Sequence, residues 1–296
     1  MTKQPKAWNG KSRGGYTGYM IFIFLIRRVG LRAAYLLLGF VSFYFIPFAP
    51  KATRAMWQYY RHTLHRGRLC TLWSLWRHYY VFGQTLIDRI AVENGMGDRF
   101  HYEFENYDQT CEMFRKGVPT VMIGAHFGAP AMGADYFGEY AHRMHLVMYD
   151  AEHRRVKEAL NRFGQTLKMN IIPVGEDPLT SIFDIKAALD RGDCVSFMGD
   201  RFLEGARTFE AEFMRRKARF PQGPFLIAEK MQEPVIFYFA TREGHRTYRF
   251  RFVNVAPVEG GRRDGRRCFE KFVPELEREL ERHPEQWFNF YNFWNA

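Results

Sequence analysis

Val118-Pro119-Thr120-Val121-Met122-Ile123-Gly124-Ala125-His126-Phe127-Gly128-Ala129-Pro130 is a short apolar run closed by glycine, then a histidine, a second glycine and a proline. A run this short, bounded by turn formers, reads as a buried strand over Val118–Gly124. Pro130 suits the first turn of a following helix. The same alternation continues downstream. Strands are predicted at His145–Tyr149, Asn170–Val174 and Cys194–Met198, with helices at Glu152–Lys168 and Leu179–Arg191 between them. Strands separated by helices of about twelve residues imply right-handed crossovers and hence an α/β fold, a mostly parallel central sheet flanked by helices. A helix at Phe220–Met231, a strand pair at Val235–Thr241 and Tyr248–Val255 turning at Glu243-Gly244-His245, and helices at Phe269–Arg282 and Gln286–Trp294 complete the reading.

Upstream of Val118 the text differs. Residues 52–95 show helical periodicity and read as two helices divided near Arg66-Gly67-Arg68. Before them lie two apolar stretches, Gly18–Ile26 and Ala33–Pro50, the second interrupted by Gly39, Pro47 and Pro50. About fourteen apolar residues precede Pro47, fewer than the ~20 that span hydrocarbon, so the segment reads as a re-entrant or interfacial anchor. Residues 1–50 form a basic N-terminus and membrane-anchoring helical segment, and residues 51–296 one α/β domain.

Charge supports that division. The chain of 296 residues carries a net +11, yet all thirteen Lys and Arg up to Arg77 precede the first acid, Asp88. The remainder is close to neutral. Basic residues interleaved with apolar runs suit an anionic membrane surface. Base-reading motifs and polar linkers are lacking, so no nucleic-acid partner is expected. Aromatics make up 17% of residues, as suits a protein touching the membrane–water interface, although core packing takes many of them. Four widely spaced cysteines, with no paired metal-ligand spacing, read as free thiols, and no metal site is expected.

In an open α/β sheet the ligand crevice lies beyond the carboxyl ends of the strands. Three polar groups fall there. His126 follows the first strand directly. Its position admits a general base taking a proton from a hydroxyl or amine, or a structural histidine bonded to a loop. Asp200 and Arg201 follow the fourth strand in Gly199-Asp200-Arg201-Phe202. They can orient each other, or Arg201 can hold a phosphate or oxyanion, or the pair can be a solvent-facing ion pair. Ala218–Phe225, a Pro- and Gly-rich loop feeding a helix, points amides outward as an anion or carbonyl site, unless it is only a tight turn.

The order His126-Phe127-Gly128, then Gly199-Asp200-Arg201, then Arg219-Phe220-Pro221-Gln222-Gly223-Pro224 resembles the conserved blocks of the lysophospholipid acyltransferase superfamily. Within it, the match is to the lipid A biosynthesis (lauroyl/myristoyl) acyltransferase-like branch. Pro284-Glu285-Gln286-Trp287-Phe288 and Ser12-Arg13-Gly14-Gly15-Tyr16 are similar to that branch's ends. The resemblance implies an acyltransferase at the cytoplasmic face of a bacterial inner membrane. It would take an acyl thioester of acyl carrier protein or CoA as co-substrate, with no cofactor, and pass the acyl group to a hydroxyl or amine of a lipid-like acceptor. His126 would be the base, with Asp200 and Arg201 beside it and Phe127, Gly128, Arg219, Gln222 and Gly223 binding substrate. One departure stands out: the family's acid, five positions after the histidine, is here Ala131. Asp200 or Asp135 can orient His126 instead. Alternatively the chain is an inactivated form, or a catalytically silent membrane-bound acyl-carrier or lipid-binding partner in a lipid or polyene biosynthetic complex.

Overall fold

The computed structural model describes residues 15–133, 138, 140–149, 169–175, 178–202, 205–255 and 262–295. The protein is α/β. Its helices are α1 (Gly15–Arg28), α2 (Leu31–Phe48), α3 (Pro50–Gln58), α4 (Arg68–Ala91), α5 (Tyr107–Arg115), α6 (Pro178–Asp190), α7 (Gly223–Met231) and α8 (Arg266–Arg282). Its strands are β1 (His101–Glu105), β2 (Thr120–Gly124), β3 (Met144–Tyr149), β4 (Asn170–Val174), β5 (Cys194–Met198), β6 (Thr208–Phe213), β7 (Arg216–Pro221), β8 (Val235–Arg242) and β9 (Thr247–Val255). The central sheet runs β1-β9-β8-β2-β5-β3-β4, and every neighbouring pair is parallel except β8 with β9. The expected helix at Glu152–Lys168 lies outside the described residues.

β2 sits at the sheet's centre because helices cover both its faces, and all five of its residues are buried. Val121 and Ile123 point to one side, with Val195, Phe197, Phe237 and Phe239, and meet α6, α7 and α8. Met122 points to the other side, with Ile236 and Phe250, and packs with side chains of α2, α4 and α5. The period of two follows from alternating strand side chains. Burial of each large apolar side chain contributes about 1.5–3 kcal/mol.

Several sequence expectations need correction. The helix expected from Phe220 starts at Gly223, because Phe220 and Pro221 belong to β7, paired antiparallel with β6. This hairpin, together with β1 and α5, has no counterpart among the elements expected from sequence. Charged residues alternate along β6 and β7 and mask their strand pattern. The expected helix at Gln286–Trp294 is mostly extended, with 3-10 turns at Pro284–Gln286 and Phe293–Asn295. Trp287 and Phe293 are driven into the core from that segment. After Pro130 there is a 3-10 turn, Pro130–Gly133.

α2 runs through Gly39 and Pro47 for 18 residues and is, among the described residues, the helix long and apolar enough to cross a membrane. At 1.5 Å per residue it reaches about 27 Å. Leu36, Phe40, Phe43, Tyr44 and Phe48, at offsets of 0, 4, 7, 8 and 12 on one helix face, form an exposed apolar stripe along it. Leu69, Leu72 and Trp73 at the start of α4 are exposed too. Stacked rings join the two helices: Trp76 lies 5.4 Å from Phe43 and 4.6 Å from Trp73.

A buried ionic knot fastens α2 to the sheet. Asp88 of α4 is wholly buried and accepts bonds from the Tyr35 hydroxyl of α2, the Tyr248 hydroxyl at 2.5 Å and the Arg242 Nε at 3.0 Å. Removing one member of such a set leaves an uncompensated charge and costs about 3–5 kcal/mol.

His78 of α4 is also wholly buried. Its Nδ1 lies 2.9 Å from the Tyr60 hydroxyl, and its Nε2 has no partner among the described residues. Burial disfavours the imidazolium and lowers the pKa to about 3. The unfolded chain takes a proton near pH 6.5, which the folded chain refuses until about pH 3, so stability is lost as pH falls through that window. The loss is expected to be about 2 kcal/mol by pH 5, at 1.36 kcal/mol per unit. Urea unfolding at pH 7 and pH 5 should show it in the wild-type chain and largely abolish it in His78→Asn.

Candidate functional site

β2 and β5 are neighbours, so the loops after them lie side by side at the sheet's carboxyl edge. The Gly199 N–H donates to the Gly124 carbonyl at 2.8 Å and joins the two loops. Neither glycine has room for a side chain. A Cβ on Gly124 would fall 2.5 Å from the Tyr238 ring, and one on Gly199 would fall 2.9 Å from Ile123 and 3.1 Å from Phe225.

This close approach brings His126 to Asp200. The imidazole Nδ1 is 2.9 Å from Asp200 Oδ1, and the His126 backbone N–H reaches both carboxylate oxygens at 3.1 Å. The Trp287 indole N–H donates to Oδ2 at 3.3 Å. Asp200 is 0% exposed, whereas the His126 side chain is 22% exposed, so the carboxylate lies beneath and the ring reaches the surface. Burial alone would raise the Asp200 pKa. The His126 charge and hydrogen bonds, with the Arg201 charge, outweigh it and hold the carboxyl below its ordinary value. An ionised carboxylate only accepts, so Nδ1 carries a hydrogen in either protonation state, and in the neutral ring Nε2 keeps the lone pair.

The remaining residues named from sequence take varied places. Arg201 does not bond Asp200. Its Nη2 donates to the Phe288 carbonyl at 2.8 Å, its guanidinium lies 5.9 Å from the Tyr291 ring, and its Nε is buried with no partner among the described residues. Its charge still favours the ionised Asp200. Phe127 is buried and forms a bridge with Trp287, and Gly128 forms one with Ala240. Both are held by backbone contacts to the neighbouring segments. Arg219 lies on β7 opposite Glu210, with its guanidinium 5.7 Å from the Phe202 ring. Gln222 precedes α7, and Gly223 opens it. Phe225, in the first turn of α7, abuts Gly199, so that helix begins beside the Asp200 loop. Ala131 lies in the turn Pro130–Gly133, and Asp135 falls outside the described residues.

The sequence reading missed the C-terminal segment as part of the site. Residues 286–291 cross the His126 loop: Gly128 N–H donates to the Gln286 carbonyl at 2.8 Å, and Phe288 N–H to the His126 carbonyl at 3.1 Å. The Gln286 side chain clasps Arg242 through its backbone N–H and carbonyl, each at 2.8 Å. The Tyr291 hydroxyl is pushed up by burial and then by the Asp200 charge, with Arg201 and the Asn289 amide acting against both. A buried tryptophan whose N–H needs an acceptor was the available signal, but spacing alone could not say which acceptor.

The arrangement is a histidine whose proton position is fixed by a buried carboxylate, at the carboxyl edge of the sheet, with Arg201 and the start of α7 beside the same loop. It can take a proton from an incoming nucleophile and return it to a leaving group. Two comparisons bear on its chemistry. A family model described as bacterial lipid A biosynthesis acyltransferase matches residues 80–296, which hold the whole sheet and the site. No curated protein matches the chain.

Proposed function

The chain belongs to the bacterial lipid A biosynthesis acyltransferase family, and on that premise we propose that His126 is the general base of acyl transfer, oriented by Asp200 in place of the acid missing at position 131. The reaction class follows from the family: a lipid acyltransferase. The bond between His126 and Asp200 at 2.9 Å is the observation that carries the finer reading. As the acceptor hydroxyl or amine attacks the thioester carbonyl, its proton passes to Nε2. When the tetrahedral intermediate collapses, the C–S bond breaks and the thiolate leaves with that proton. Arg201 and the amides at the start of α7 stabilise the oxyanion or hold the donor's phosphate. The donor is an acyl thioester of acyl carrier protein or CoA, and the acceptor is lipid-like.

The exposed stripe of α2 and the rings beside it on α4 support docking at a membrane surface; the family reading is what assigns that surface to the cytoplasmic side of the inner membrane. Amphipathic rings at the boundary and basic residues around them fit an interfacial anchor.

Ala131 favours a second reading, a silent acyl-carrier or lipid-binding partner. One assay separates the two: transfer from labelled acyl carrier protein or acyl-CoA to total membrane lipid, by the chain, Ala131→Glu and His126→Ala. Our reading expects comparable transfer by the first two and none by the third. Transfer by Ala131→Glu alone would remove Asp200 as a sufficient orienting group. Silence in all three would favour the partner reading.

A further inference from the structure

A cavity of about 280 Å³ opens where the turn between α1 and α2 meets the turn between β8 and β9. Arg32, Arg99, His245 and Arg246 line it together with Gly30 and Tyr35. None of these four basic side chains makes a hydrogen bond or ion pair with a described residue. Asp98, next to Arg99 in sequence, does not line the cavity. Asp88, which accepts from the lining Tyr35, is also bonded by Tyr248 and Arg242, and Glu243, two residues before His245, is bonded by Thr241, Arg249 and His283.

Three guanidiniums gathered without a counter-charge repel one another and present donors to whatever anion enters. Their planar forks match phosphate oxygens. Two backbone features add to this. Gly30 precedes α2 at φ 105° with no side-chain cap, so the first-turn amides of an 18-residue helix open there. Arg246 is held in the left-handed region at φ 62°, a conformation that costs energy for a side chain of this kind and fixes where it points.

The wall is not only charged. Val29 and Leu31 line the cavity, Val29 is exposed, and Phe24 and Leu36 are exposed on the adjoining helices. We propose that this cavity binds the phosphate group of an anionic lipid, with the lipid's apolar part lying along α1 and α2. Its volume of about 280 Å³ has room for one headgroup. It opens on the edge of the sheet that holds His126. Ala240 bonds the Ala129 N–H, and Arg246 is six residues further along, within about 20 Å at 3.3 Å per extended residue. The site stands as a binding site whether or not His126 is the base.

The test uses the full chain in a neutral detergent and follows thermal unfolding. Inorganic phosphate, short-chain phosphatidic acid and short-chain diacylglycerol are titrated separately. A ligand that binds the folded state raises Tm with its concentration. Phosphatidic acid is expected to stabilise the chain at far lower concentration than inorganic phosphate, and diacylglycerol not at all. Arg32→Gln with Arg99→Gln should raise the required phosphatidic acid concentration by about tenfold or more, the usual worth of charge-assisted bonds. Lys51→Gln with Arg54→Gln removes the same charge from outside the cavity and should leave it unchanged. Equal effects of the two double variants would mean diffuse attraction and overturn the site. An unchanged response in Arg32→Gln with Arg99→Gln would do the same, and equal potency of inorganic phosphate would overturn the lipid assignment.

Discussion

Asp200→Asn is expected to lower acyl transfer by about 10⁴-fold, the scale seen when an orienting carboxylate behind a catalytic histidine becomes an amide. The change is nearly isosteric, so the loops after β2 and β5 should stay joined. An amide can face Nδ1 with its NH₂, which forces the hydrogen onto Nε2 and removes the lone pair that must take the acceptor's proton. Alternatively it turns its oxygen to Nδ1 and points an N–H at the Trp287 indole N–H. Either way one good contact is lost. The measurement is kcat for transfer from acyl carrier protein beside a check of the fold by Tm. An undiminished kcat in a folded Asp200→Asn protein would show that something else orients the ring. A loss confined to KM would place Asp200 in substrate binding instead.

Gly128→Ala is expected to leave little folded protein. Gly128 sits at φ 63°, and an added Cβ would fall 1.7 Å from the Ala240 carbonyl oxygen, deep inside van der Waals contact. The obstacle is backbone, which cannot rotate away as a side chain would. Its neighbours are held from both sides, because Gly128 N–H binds Gln286 and Ala129 N–H binds Ala240. Opening that gap means parting β8 from the His126 loop, and we expect a cost of at least about 4 kcal/mol, a large part of a domain's 5–15. Expression yield and Tm of Gly128→Ala, compared with Gly205→Ala, check it. Gly205 has φ 85° with open space around its Cβ position, so it isolates the backbone penalty from the clash.

All of the central sheet but β1 was legible, because β2 and β5 are short, mostly apolar runs with turn formers at their ends, and full burial on both faces demands such runs. β8 was legible for the same reason, and β9 through the alternation of Tyr248, Phe250 and Phe252 with Arg249 and Arg251. β6 and β7 were not. Glu210, Glu212, Arg216, Lys217 and Arg219 give their hairpin the look of a charged loop, and only Phe209, Phe213 and Phe220 reveal its inner face. At the site, His126 and Asp200 could be named singly from their places after strands. Their pairing depends on strand order, which periodicity does not contain. The contribution of Trp287 and Gln286 was hidden further, because a stretch of aromatic residues reads as a helix face until its contacts are known.

The Trp287 donor and the Asp200 acceptor are separated by 87 positions along the chain. At ~5–20 residues per second of synthesis, the carboxylate waits roughly 4–17 s after its own emergence before the indole reaches it. α1 and α2 are made long before either. The order of manufacture therefore gives the helices bearing the apolar stripe a head start at finding a bilayer, while the crevice is still without the segment that braces its histidine. A nascent chain would be a lipid-seeking protein first and a finished site only afterwards.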